Sequence, residues 1–128
     1  KPLIVKLTPN VEDPAPVAAA AEQAGADAVS LINTLKAMAI DPTTGRPWLG
    51  GASGGLSGPA VRAVALQQVA RVSSAVGIPV IGMGGISGTG DARDFLAAGA
   101  QLVAVGTESF RDPMAGRRIA SELLSQNA

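Results

Sequence analysis

Pro79-Val80-Ile81-Gly82-Met83-Gly84-Gly85 and Leu102-Val103-Ala104-Val105-Gly106-Thr107 share one layout, a short apolar run that ends in glycine. Glycine has no Cβ, so such a turn lets backbone N–H groups approach a phosphate closely. A tight turn between strand and helix would use the same glycines. Their place in the chain separates two architectures. In an open dinucleotide-binding sheet the glycine fingerprint follows the first strand. Here the first apolar run, Leu3–Leu7, is followed by Thr8-Pro9-Asn10, without glycine. In a (β/α)8 barrel the loops after the last two strands hold phosphate.

Outward from these turns the pattern repeats. Ala28–Ile32 reads as a second strand, Pro79–Ile81 as a third that breaks at Gly82, and Leu102–Val105 as a fourth. Between them lie helices. Asp13 offers an N-cap with Pro14 at the first helical position, and the alanine-rich stretch runs to a stop at Gly25. Pro59 opens the next, where Val61, Val64, Ala65, Val69, Val72 and Val76 recur at helical spacing before Gly77. Asp91–Ala98 stops at Gly99, and Asp112-Pro113 caps a last helix to about Leu124. A long polar, Gly-rich segment, Leu35 to Gly58, reads as a loop. Four βα units with nearly continuous apolar strands predict a parallel sheet covered by helices. A whole barrel needs eight such units and about 250 residues. The 128 residues therefore read as one partial barrel domain, the C-terminal half, with the N-terminal half absent.

Composition narrows the chemistry. Lys plus Arg and Asp plus Glu are both 10, for a net charge of zero, so nothing favours nucleic acid or an anionic membrane. No apolar run reaches the roughly 18–20 residues that span a bilayer. There is no Cys and no His, which excludes disulfides, thiolate nucleophiles, Ser–His triads and imidazole metal ligands. No metal site is expected, and a cofactor or a segment outside this chain must carry any hard step.

Four constellations stand out. Gly84, Gly85, Gly106 and Thr107 suit a phosphate, or simply turn the chain. Lys6 ends an apolar strand, where its ammonium either meets a ligand such as a reduced flavin or snorkels to solvent. Asn33 and Thr34, at the end of the second strand, can bond a planar ring carrying donors and acceptors, or can cap the strand. Gly54-Gly55-Leu56-Ser57-Gly58-Pro59 ends the long loop, and loops of that length are usually functional. Trp48 within it fits a lid or a subunit contact.

Lys6-Leu7-Thr8-Pro9-Asn10, Ile32-Asn33-Thr34-Leu35, Met38-Ala39-Ile40-Asp41, Gly54-Gly55-Leu56-Ser57-Gly58-Pro59-Ala60, Gly82-Met83-Gly84-Gly85-Ile86 and Val105-Gly106-Thr107 stand in the order seen in dihydroorotate dehydrogenases. The sequence resembles the second half of that family over nearly all its length. It is most similar to the class 1, NAD-linked type, whose flavin subunit pairs with an iron–sulfur and FAD subunit. The resemblance implies FMN as cofactor, with Lys6 at the flavin ring, the Ile32 backbone and Gly58 lining its site, and Gly84, Gly85, Gly106 and Thr107 at its phosphate. Asn33 and Thr34 would bind the pyrimidine. The base of this type is a Cys on a loop of the first half, so no catalytic residue is expected here. The implied reaction is oxidation of dihydroorotate to orotate in pyrimidine (UMP) biosynthesis: proton loss from C5 and hydride transfer from C6 to flavin N5. A cytoplasmic location and a homo-oligomer are expected for the complete enzyme, and the isolated chain is expected to be inactive. The rival readings are a dihydropyrimidine dehydrogenase-type flavin domain and a non-catalytic phosphate-binding half-barrel.

Overall fold

A computed structural model describes residues 1–125. Its centre is β2, Ala28–Leu31, a strand whose four residues are all buried. It pairs in parallel with β1, Ile4–Lys6, on one side and with β5, Val80–Met83, on the other. β6, Leu102–Ala104, pairs in parallel with the far side of β5. The strand order, β1-β2-β5-β6, follows the chain order without reversal. A doubly wound sheet reverses direction at a switch point, and this one does not. A parallel sheet wound in one direction is the arrangement of half a (β/α)8 barrel, as the glycine positions predict.

The helices cover one face. They are α1 (Ala15–Gln23), α2 (Arg62–Ser73), α3 (Thr89–Ala97), a short α4 (Glu108–Arg111) and α5 (Ala115–Ser125). β5 shows the two faces of the sheet directly. Val80 and Gly82 are buried, and a Cβ on Gly82 would meet Phe95 of α3 at 2.7 Å. Ile81 and Met83, on the opposite face, are only half-buried. The core of Val29, Leu31, Val69, Val72, Val80 and Phe95 lies between sheet and helices.

Several sequence expectations are corrected. β5 does not break at Gly82 but runs on to Met83, because Gly82 makes room for Phe95. The segment 35–58 contains an antiparallel hairpin, β3 (Leu35–Ala37) with β4 (Gly54–Leu56). Pro59–Val61 forms a 3-10 turn before α2 proper. Val61, Ala65, Val69 and Val72 are buried as expected, but Val64 is exposed and the polar Gln68 takes a buried place. Gly77 is not the stop of α2, which ends at Ser73; its N–H instead donates to Glu22 Oε1 at 2.8 Å. Gly25 and Gly99 do follow their helices with φ of +90° and +102°. α3 starts at Thr89, two residues before Asp91.

Candidate functional site

Because the four strands are parallel, their C-terminal ends share one rim. One cleft of about 210 Å³ lies there, lined by all nine expected site residues, Lys6, Ile32, Asn33, Thr34, Gly58, Gly84, Gly85, Gly106 and Thr107, together with Leu56, Ser57, Val61, Met83, Ala104 and Val105.

Lys6 closes β1 and reaches across β2. Its Nζ donates to Met83 Sδ at 2.9 Å, which places the side chain on the face away from the helices. A thioether is a weak acceptor, and no carboxylate lies within ion-pair distance of Lys6 among the described residues. The ammonium thus keeps donors and an uncompensated positive charge at the cleft wall.

β2 delivers Ile32, whose N–H donates to Met83 O at 2.8 Å, and then Asn33 and Thr34. Asn33 Oδ1 accepts from Thr34 N at 2.8 Å. A backbone N–H must face an oxygen, so the orientation of the amide is fixed. Its Nδ2 has no protein partner among the described residues and offers donors toward the cleft. The site therefore presents N–H groups and one cation, a set that suits a ligand rich in carbonyl or carboxylate oxygens.

The glycines at the rim differ in what surrounds them. Gly85 has φ +78°, and a Cβ there would lie 2.6 Å from Gly58 O and 3.0 Å from Arg62 Cβ. Gly58 has φ +83° and lies against Thr107, whose Cγ2 is 3.5 Å from where a Cβ would stand. The loops after β4 and β5 are thus packed backbone to backbone, and the loop after β6 meets Gly58 through the Thr107 methyl. Gly106 is different: a Cβ there would meet nothing within 4 Å and would project into open space beside the cleft. Gly84, with φ +133°, makes room for Ala65 and Ile32 beneath it. The N-terminus of α3 contributes no open anion site. Asp91 Oδ2 accepts from Ser87 N, Ser87 Oγ and Gly88 N at 2.9, 2.8 and 3.1 Å, and Asp91 also pairs with Arg62. That carboxylate already answers the helix dipole. A phosphate in the cleft would be held by the loops at Gly84-Gly85 and Gly106-Thr107. Among the described residues no three His, Cys, Asp or Glu side chains cluster to hold a metal. No helix among them is long and apolar enough to cross a membrane.

Comparison with known proteins gives this cleft a family. The family model for dihydroorotate dehydrogenase matches residues 1–126. The chain belongs to the dihydroorotate dehydrogenase family. It is 56% identical over 96% of its length to a "Dihydroorotate dehydrogenase B (NAD(+)), catalytic subunit" of Citrifermentans bemidjiense and covers 40% of that protein. A protein of the same name from Malacoplasma penetrans is 52% identical over 98% of the chain, which covers 41% of it. A "Putative dihydroorotate dehydrogenase A (fumarate)" of Solibacter usitatus is 55% identical over 96% of the chain, again 40% of the relative. The chain thus spans about two fifths of the length of these dihydroorotate dehydrogenases. Relatives named for NAD(+) and for fumarate are equally similar, so overall identity does not choose the electron acceptor.

Asn10 and Met83 stand within motifs that assign them no role, yet one fastens the Asn33-Thr34 segment and the other receives Lys6. Neither has a signal in residue type alone, because both act across strands.

Proposed function

We propose that this chain forms the FMN-binding and pyrimidine-binding wall of an enzyme that oxidises dihydroorotate to orotate. The observation that carries it is the convergence in one cleft of Lys6, Asn33, Thr34 and the glycine loops at Gly58, Gly84-Gly85 and Gly106-Thr107. Gly85 and Gly58 pack their loops closely together, and Gly106, with nothing within 4 Å of where a Cβ would stand, leaves room at the cleft for a phosphate-bearing ligand. The Lys6 ammonium, with no carboxylate partner among the described residues, would lie beside the flavin ring and stabilise negative charge there. Asn33 and Thr34 would hold the pyrimidine through its oxygens. A bound FMN supplies the hydride acceptor. Among the described residues Lys6 is the one ionisable side chain lining the cleft, so proton removal falls to a base outside these residues, expected as a loop Cys elsewhere in the complete enzyme. The relatives named as catalytic subunits support an electron-transfer partner, in keeping with an iron–sulfur and FAD subunit. A homo-oligomer in the cytoplasm, serving pyrimidine biosynthesis, completes the reading.

The test is made on the complete flavoenzyme. It should purify with about one FMN per flavin subunit and turn over dihydroorotate in preference to dihydrouracil. Asn33→Ala should lower kcat/KM for dihydroorotate about tenfold at unchanged flavin content, the scale of one unmade polar contact of roughly 1–3 kcal/mol. A colourless protein, or equal turnover of dihydrouracil, would count against the assignment.

A further inference from the structure

We propose that Asn10 is a positioning residue that sets the geometry of the ligand contacts at Asn33 and Thr34; this rests on reading those two side chains as the pyrimidine site. Asn10 does not line the cleft. Its Nδ2 donates to Thr34 O at 3.0 Å and its Oδ1 accepts from Lys36 N at 2.7 Å. The two bonds flank Leu35 and use the pair of backbone groups that a neighbouring strand would engage. A C=O and an N–H on the receiving backbone fix the amide orientation, and only Asn supplies both partners at this length.

The segment held in this way lies between β2 and β3, where Ile32 is tied to Met83 O but, among the described residues, no strand ladder supports Asn33 and Thr34. Asn33 Oδ1 in turn bonds the Thr34 N–H. The direction of the Asn33 amide therefore depends on where the Thr34 peptide sits, and Asn10 decides that. Asn10 is itself anchored. Its N and Nδ2 donate to Thr8 Oγ1 at 3.2 and 3.1 Å, and the preceding Pro9 carbonyl accepts from the buried Gln68 Nε2 at 3.1 Å. A continuous path runs from helix α2 through Gln68, Pro9, Asn10 and Thr34 to Asn33. Its effect is on the aim of the ligand contacts rather than on the flavin cradle, whose glycine loops it does not touch.

The experiment titrates the flavin-loaded holoenzyme with orotate, following the flavin absorbance, for wild type, Asn10→Ala, Asn10→Asp and Asn33→Ala. Asn10→Ala should weaken orotate about tenfold with flavin content unchanged. Asn10→Asp keeps the acceptor for Lys36 N–H and loses the donor to Thr34 O, so it should fall between. Wild-type orotate affinity in Asn10→Ala, while Asn33→Ala weakens it, overturns the positioning role alone. Wild-type affinity in Asn33→Ala overturns the pyrimidine-site reading and this proposal with it. If Asn10→Ala does not fold, Asn10→Asp decides by the same measure. Loss of flavin or of folded protein in both Asn10 variants also overturns the proposal, since Asn10 would then be a general strut.

Discussion

Gly82, Gly84, Gly85 and Gly106 belong to two glycine-ended runs, yet each is glycine for a different reason. Gly82 yields to Phe95 and Gly84 to Ala65 and Ile32. Gly85 yields to the Gly58 carbonyl in a left-handed conformation, and Gly106 has empty space over it. The first three would carry the strain of any side chain into the fold, whereas Gly106 would carry it only into the cleft. Gly85→Ala is expected to destabilise the complete enzyme by roughly 2 kcal/mol or more, from the left-handed φ and the clash together. Gly106→Ala should leave the melting temperature alone and lower flavin retention, because Gly106 lines the cleft and a methyl there would meet no protein atom. Thermal unfolding and flavin content on both variants check this. A melting temperature for Gly85→Ala equal to wild type would refute the packing role.

At the scale of the element, α1 is fastened at its start. Asp13 Oδ1 accepts from Ala15 N at 3.0 Å, and Arg71 of α2 donates to its carboxylate, Nη2 to Oδ2 at 2.8 Å. The Arg71 guanidinium, with the Ala15 N–H, lowers the Asp13 carboxyl below its ordinary value of 3.8. A depressed carboxylate stabilises the fold above its unfolded value and loses that contribution as pH falls through the folded one. Asp13→Asn keeps the acceptor for Ala15 and removes the charge. It should lower the melting temperature slightly at pH 7, with the gap to wild type closing as the pH drops below about 3.8. A gap that is constant with pH would exclude the ion pair as its cause. The start of this helix was legible in the sequence to within one residue, since Asp-Pro before an alanine run acts through neighbours in the chain; the helix begins at Ala15, with Pro14 rather than Asp13 at the N-cap position. The hairpin of β3 and β4 was not legible. Its strands have three residues each, one is Gly54-Gly55-Leu56, and the register depends on a partner 17 or more residues away. The site was legible where strand ends put Lys6, Asn33 and the glycines on one rim. Asn10 and Gln68 were not, because their partners come from other elements.

At the scale of the whole molecule, β1 and β6 each pair on one side only among the described residues, and exposed apolar side chains stand at both. Leu3 and Ile4 are 58% and 49% exposed and Leu102 is 59% exposed, while Phe110 of α4 is 91% exposed. Open edges and bare apolar surface recruit partners. Residues 1–128 expressed alone should therefore associate with increasing concentration and show no dihydroorotate oxidation with added FMN and an artificial acceptor. Sedimentation and orotate formation test both. A stable monomer at tens of micromolar, or turnover near that of the complete enzyme, would contradict the division of labour proposed for the cleft.

The chain-ordered sheet also has a kinetic side. Each strand can dock on one already in place as synthesis proceeds, so the sheet can grow in one direction. The steps are unequal. Val5 meets Val29 and Ile81 meets Leu102, closing loops of 24 and 21 residues, whereas Ser30 meets Ile81 across 51. Each doubling of loop length adds about 0.6 kcal/mol of closure entropy. The hairpin and α2 between β2 and β5 therefore make the central joint of the sheet the costliest to close, by about 0.6 kcal/mol, and it is the joint whose two strands lead into Asn33 and Gly84.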